Sequence, residues 1–118
     1  MAKVAIVVLA GTETHEGLGR VVNALEAAKE LEEGNDDVRI VFDGAGTAWI
    51  PELAKEEHPA HALYAAVGDR IAGVCAFCAG AFGVKQAVIA QGVALAGEYD
   101  GHPSLRRLVH DGYQIVTF

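Results

Sequence analysis

The sequence predicts an α/β fold, a three-layer α/β/α sandwich around a mostly parallel five-stranded sheet. Two observations carry that expectation. Short runs of Val, Ile and Leu are apolar on successive residues, the pattern of parallel strands buried on both faces. Between these runs lie stretches with apolar residues three and four apart, the period of helices packed against a sheet. The 118 residues suit one domain with its own core, spanning positions 1–118.

The first run, residues 3–10, predicts a central strand. A polar loop over 11–17 follows, holding Glu13, His15 and Glu16. Leu18, Val21, Val22, Leu25 and Ala28 then define one face of an amphipathic helix. Glu26, Lys29, Glu30 and Glu33 take its other face, and Gly34-Asn35 is the stop. A second strand over 38–42 ends at Asp43-Gly44-Ala45-Gly46. Thr47 is the expected N-cap of a helix through Trp49, Leu53 and Ala54. His58-Pro59 interrupts it, because a residue before proline is pushed out of helical angles. Pro59 can begin a further helix over 60–67, closed by Gly68. The third strand is placed at 70–75, the next helix at 82–91 with Gly92 as its stop, and a short fourth strand at 93–96. A loop over 97–104 leads to a helix at 105–110. Asp111-Gly112 turns the chain into a last strand at 113–118.

Charge and hydropathy exclude several classes of function. Nine basic against sixteen acidic residues leave a net charge of −7. Without a Lys/Arg cluster, nucleic acid and anionic membrane surfaces are poor partners. The longest apolar run, 4–11, is too short to span a bilayer, and Thr12-Glu13-Thr14-His15-Glu16 follows it instead of a small-residue cleavage site. A cytoplasmic location is therefore expected, where thiols stay reduced. There the two cysteines, Cys75 and Cys78, are expected to be reactive or metal-binding, not a structural disulfide.

These cysteines occupy a strand-to-helix turn. In open α/β sheets, ligands sit at the carboxyl ends of strands. Cys75 is placed at such an end, and Cys78 in the turn before the next helix. Unpaired N–H groups and the partial positive charge of that helix favour an anion, so a lowered thiol pKa is expected. Ala76, Ala79, Gly80 and Ala81 leave little bulk around the thiols, and Gly80 lets backbone approach a ligand closely. Asp43, after the second strand, is a candidate lining residue. Glu13 and His15 are candidates for an acid or base over the same sheet edge, against the plainer alternative of loop surface. For the cysteines the plainer alternative is a pair of small buried hydrophobes.

Three segments carry a resemblance to a known family. They are Val41-Phe42-Asp43-Gly44-Ala45-Gly46-Thr47, then Gly73-Val74-Cys75-Ala76-Phe77-Cys78-Ala79-Gly80-Ala81-Phe82-Gly83-Val84, and Asp111-Gly112-Tyr113-Gln114-Ile115-Val116-Thr117-Phe118. Together with the first strand and helix they resemble the DsrE-type (DsrE/DsrF-like) sulfur-relay proteins over nearly the whole chain. The resemblance implies a DsrE-like fold and a cytoplasmic oligomer, often trimeric or hexameric. It also implies a persulfide carrier of sulfurtransferase type, working between sulfur-donor and sulfur-acceptor proteins without a cofactor. By position, the sulfur-accepting cysteine falls on Cys75. Cys78 matches a second cysteine of some relatives and is a candidate to resolve the persulfide as a disulfide. The relay subunits of tRNA thiolation tend to carry basic residues where Ala81 and Phe82 stand here.

Other constellations point elsewhere. His58 and His61, joined to the two cysteines, make up a Cys2His2 zinc set. Exposed histidines on a solvated helix are the simpler expectation, and no metal is assigned. The 11–17 loop occupies the phosphate-binding position of a flavodoxin-like nucleotide or flavin module. Its Glu13 and Glu16 repel phosphate, and it lacks the glycine pattern of such loops. A non-catalytic oligomeric scaffold of the same fold is the remaining alternative. Trp49 is expected in the core or at a subunit contact. The small and apolar residues of 60–67 and 84–89 weigh toward a subunit interface.

Overall fold

The computed structural model describes residues 1–118. Five strands, β1 (Lys3–Val8), β2 (Asp37–Phe42), β3 (Ile71–Cys75), β4 (Leu95–Ala96) and β5 (Gln114–Thr117), form one sheet in the order β4-β3-β2-β1-β5. All four pairings are parallel, with Ile6 beside Ile40, Phe42 beside Val74, Cys75 beside Ala96 and Ala5 beside Ile115. The helices are α1 (His15–Glu33), α2 (Trp49–Leu53), α3 (His61–Ala66), α4 (Ala76–Ala81), α5 (Lys85–Ala90) and α6 (Leu105–His110). No helix is long and apolar enough to cross a membrane.

Chain direction divides the helices between the two faces. From β1 to β4 each strand lies beside its predecessor, and right-handed crossovers in one direction put their helices on one face. Val4, Ile6, Val8, Val38, Ile40, Phe42 and Val74 point there. They meet Val21 and Leu25 of α1, Ile50 and Leu53 of α2, Tyr64 of α3, Ala79 of α4 and Val88 of α5. The last crossover reverses direction to reach β5 on the far side of β1. Its helix, α6, covers the opposite face, where Leu108 packs with Ala5, Val7, Val41 and Tyr113. The second helical layer is thus a single short helix.

Local chemistry moved several boundaries from their predicted places. α1 starts at His15, within the predicted loop, because Thr14 caps it and accepts the Gly17 N–H at 2.9 Å. After β2, Asp43 is the cap, not Thr47. Its carboxylate accepts the Gly44 N–H at 2.8 Å and opens a 3-10 helix at Gly44–Ala48. Thr47 is buried inside that turn and donates its hydroxyl to the Gly44 carbonyl. The helix predicted at 82–91 is shorter, Lys85–Ala90, and a separate helix, Ala76–Ala81, stands directly after β3 where a turn was expected. Gly83, at φ +71°, separates them. The Val84 N–H reaches back to Ala79 O at 2.8 Å and the Gly83 N–H to Gly80 O at 3.1 Å, the double bond of a glycine-terminated helix.

The turn after β2 lies hard against β1. A Cβ on Gly46 would sit 2.1 Å from the Val8 carbonyl oxygen, whereas one on Gly80 meets nothing within 4 Å. Gly46→Ala should therefore lower stability by about 1–3 kcal/mol, the usual cost of overpacking. Gly80→Ala, in an open helical position, should raise it by roughly 0.5–1 kcal/mol. Urea unfolding midpoints of the two variants check both signs.

Candidate functional site

Because the strands are parallel, β2, β3 and β4 release their chains at one edge of the sheet. Four side chains meet there: Asp43 after β2, Cys75 at the end of β3, Cys78 in α4, and His102 after β4. Their carboxylate, sulfur and imidazole atoms all lie within 4.8 Å of one another.

Cys75 holds two structural posts at once. It is the last residue of β3 and the N-cap of α4, where its sulfur accepts the Cys78 N–H at 3.3 Å. Serine, threonine, aspartate or asparagine usually fills that post, offering an oxygen to the same N–H groups. The side chain is 0% exposed. The His102 Nδ1 lies 3.3 Å from the sulfur, and the Gly101 carbonyl accepts from the thiol at 3.8 Å. Cys78 is half-buried, within α4 and not in a turn before it. Its thiol donates to Asp43 Oδ1 at 3.5 Å, the oxygen that also accepts the Gly44 N–H.

His102 is held by its loop. Asp100 and Gly101 both have positive φ, 51° and 84°. They turn the chain so that Tyr99 and His102 exchange backbone hydrogen bonds of 2.8 and 2.9 Å. The imidazole packs on the Phe77 ring, with centroids 5.0 Å apart. The Gly101 carbonyl also accepts the Phe77 N–H at 2.9 Å, so this loop takes up one of the first-turn donors of α4.

That arrangement reverses the expected acidity of Cys75. Burial, the largest cause, pushes its pKa from 9.0 up to about 12. The Cys78 N–H works the other way and is outweighed, while the Cys78 thiol and the Asp43 carboxylate push further upward. Free helix N–H groups were expected around the thiol. One reaches the sulfur, and a carboxylate sits beside the pair. The resting state is therefore a neutral thiol hydrogen-bonded toward His102 and Gly101.

The other predicted residues lie elsewhere. Glu13 and His15 are exposed and line a shallow cleft with Trp49, Glu52 and His58, apart from the cysteines. Gly80 is exposed in α4, with open space where a Cβ would go. His58 and His61 are half-buried and engaged locally. His58 Nδ1 accepts the Ala60 N–H at 3.0 Å, and His61 Nδ1 pairs with the Leu53 carbonyl at 2.8 Å. Neither joins the cysteine cluster, which removes the alternative of a Cys2His2 set. Trp49 is a core residue, 3% exposed, with its indole N–H donated to the Ala10 carbonyl. The residue that sequence reasoning missed is His102. The available signal was its place in the loop after the fourth strand, at the same edge as Cys75.

The fold is a small parallel α/β domain with an unbridged cysteine pair at the carboxyl edge of its sheet. This chain belongs to the DsrE/DsrF-like family, whose model matches residues 2–118. It is 32% identical over 96 residues to the uncharacterized protein MJ0733 of Methanocaldococcus jannaschii, covering 81% of this chain and 78% of that protein. Its fold is similar to that of BT1422 from Bacteroides thetaiotaomicron, a solved conserved protein of unknown function. That likeness has a TM-score of 0.60 at 15% identity and covers 97% of this chain and 94% of that one.

The raised Cys75 pKa has a measurable sign. Between 9.0 and about 12 the folded chain keeps a proton that the unfolded chain has lost. Stability must therefore fall as pH rises through that window. Burial raises Tyr64 and Tyr113 as well, adding a slope of the same sign in any variant that keeps them. Cys75→Ala should flatten the alkaline decline relative to the parent, as read from urea midpoints across the window.

Proposed function

We propose that this protein is a persulfide carrier, with Cys75 as the sulfur-bearing residue and Cys78 as the resolving thiol. The observation that carries the reading is the placement of the Cys75 sulfur. It caps α4 and accepts the Cys78 N–H, with an imidazole nitrogen 3.3 Å away. Family membership supports the chemistry.

Loading is a transfer between sulfurs. A donor persulfide, R–S–SH, approaches; Cys75 gives its thiol proton to His102 Nδ1 and attacks the outer sulfur. The donor S–S bond breaks, Cys75–S–SH forms, and the departing R–S⁻ takes the proton from His102 to leave as R–SH. Passing the proton through His102 removes the need for a standing thiolate, which burial and Asp43 oppose. Unloading follows one of two balanced routes. An acceptor thiol gives its proton to His102 and attacks the outer sulfur, the Cys75–sulfur bond breaks, the acceptor leaves as its persulfide, and Cys75 takes the proton back from His102. Otherwise Cys78 attacks the inner sulfur, forming a Cys75–Cys78 disulfide and releasing hydrogen sulfide.

The carrier works between donor and acceptor proteins in the cytoplasm, as a homo-oligomer of trimeric or hexameric type. Exposed aromatics near the site support protein contacts there: Phe77 at 60%, Phe82 at 50% and Tyr99 at 67%. A partner seated on them can open the way to the buried Cys75. One observation favours a second order of events. Cys78 is nearer to solvent than Cys75, so donor sulfur can land on Cys78 and then move to Cys75 by thiol–persulfide exchange.

Mass spectrometry separates these routes. After incubation with a persulfide donor, the parent should gain about 32 Da, one sulfur atom. Cys78→Ser should keep that adduct and Cys75→Ser should lose it. An adduct that survives Cys75→Ser and disappears in Cys78→Ser would establish the second order. Absence of any adduct from the parent would end the carrier reading.

A further inference from the structure

Asp43, Cys75, Cys78 and His102 have the composition and spacing of a metal site, and we propose that they bind one Zn²⁺ ion tetrahedrally. With Zn–S near 2.3 Å and Zn–N or Zn–O near 2.1 Å, the S–N and S–O edges of a tetrahedron are about 3.6 Å, and the S–S edge about 3.8 Å. The site shows S–N at 3.3 Å between Cys75 and His102, and S–O at 3.5 Å between Cys78 and Asp43. All four donor atoms fall within 4.8 Å. An ion at their centre requires only small side-chain adjustments.

The ligands are also held from outside, as metal ligands usually are. The Gly44 N–H fixes Asp43 Oδ1 at 2.8 Å. The Cys78 N–H holds the Cys75 sulfur. The Tyr99–His102 backbone pair and the Phe77 ring fix the imidazole. Cys75 is buried and the other three are half-buried, so water competes weakly for the ion.

Donor type selects the metal. Two thiolates with one imidazole and one carboxylate suit zinc, whereas Mg²⁺ and Ca²⁺ take oxygen ligands. Both thiols lose their protons to solvent on binding, so two S–H bonds are exchanged for two Zn–S bonds. Two thiolates, a carboxylate and Zn²⁺ sum to −1, where the same deprotonated ligands without metal would carry −3. The ion supplies the positive charge that the surrounding protein lacks. Four protein ligands leave no open position, so the ion is structural or protective, not a Lewis acid for a substrate. Zinc binding stands independently of sulfur carriage. If both hold, they compete for Cys75, and the zinc form is the unloaded carrier.

The test uses the full chain, stripped with chelator under reducing conditions and titrated with Co²⁺, then with Zn²⁺. The expected result is saturation at about one equivalent. The cobalt form should show thiolate-to-cobalt charge transfer and the intense visible bands of a tetrahedral ion, and zinc should displace it. Zinc should also raise the melting temperature. His102→Ala and Asp43→Asn should each weaken zinc binding by roughly tenfold or more, and Cys75→Ser should cut the charge-transfer intensity by about half or more. His58→Ala, outside the site, should bind as the parent does. Circular dichroism of the metal-free variants identifies any that fail to fold, and the parent's cobalt spectrum decides the site without them. A parent chain with no tetrahedral spectrum at one equivalent overturns the proposal. So does parent-like zinc affinity in both folded His102→Ala and Asp43→Asn. Sulfur loading is read separately by mass on the zinc-free chain, so failure of either reading leaves the other standing.

Discussion

Parallel pairing in chain order, from β1 through β4, is the constraint from which the site follows. Parallel neighbours cannot be joined by a hairpin, so each strand must send its chain back through a crossover. Every departing segment therefore starts at one edge. Neighbouring strands lie about 4.8 Å apart, so residues just past the ends of adjacent strands are within reach of one another. Asp43, Cys75 and His102 follow three adjacent strands, and Cys78 returns from the first turn of α4. Absence of a loop after β3 tightens this further. The strand's last residue is the helix cap, which fixes the Cys75 sulfur relative to both elements.

The electrostatics of the cluster explain why it suits chemistry that arrives from outside. A buried sulfur anion needs donors or positive charge around it. The chain provides the Cys78 N–H, and then sets a carboxylate on the neighbouring thiol. Cys75 therefore rests as a neutral thiol and is quiet toward adventitious oxidants, since the thiolate is the reactive form. In both proposals the buried sulfur loses its proton only when a visitor is present, to His102 during exchange with a persulfide or to solvent on binding a metal cation. Both uses share Cys75, Cys78 and His102, and the metal site adds Asp43. Glu13 and His15, polar groups at another part of the edge, contribute to neither.

Much of the architecture was legible because periodicity reports burial. The unbroken apolar runs mark strands covered on both faces, and the Leu18–Val21–Leu25–Ala28 spacing marks the face of α1 that meets the sheet. The cysteine pair and Asp43 stood out because their residue types are informative at strand ends. What was missed depended on geometry that periodicity does not carry. The short helix at Ala76–Ala81 was missed because its small residues read as a turn, and it ends at a single left-handed residue, Gly83. The start of α1 turns on a threonine cap within a polar loop. The role of His102 requires knowing that β4 lies beside β3, since strand order is set by packing. The sign of the Cys75 shift required a count of which N–H groups remain free once the loop through Gly101 has docked.

Consider the return connection that carries His102. From β1 to β4 each strand pairs with the one just made, through short closures. β5 alone must find β1 from the opposite end of the sequence, with Ile115 beside Ala5 and Phe118 bonded back to Val7. That pairing joins the residues most distant in sequence. The segment bearing His102 lies between β4 and β5. A chain with its first four strands formed already holds both cysteines, whereas the imidazole sits on the stretch whose far end is still free. The four-residue site is therefore complete only when the segment between β4 and β5 is docked, so disturbing that connection alters the surroundings of both thiols without touching either cysteine.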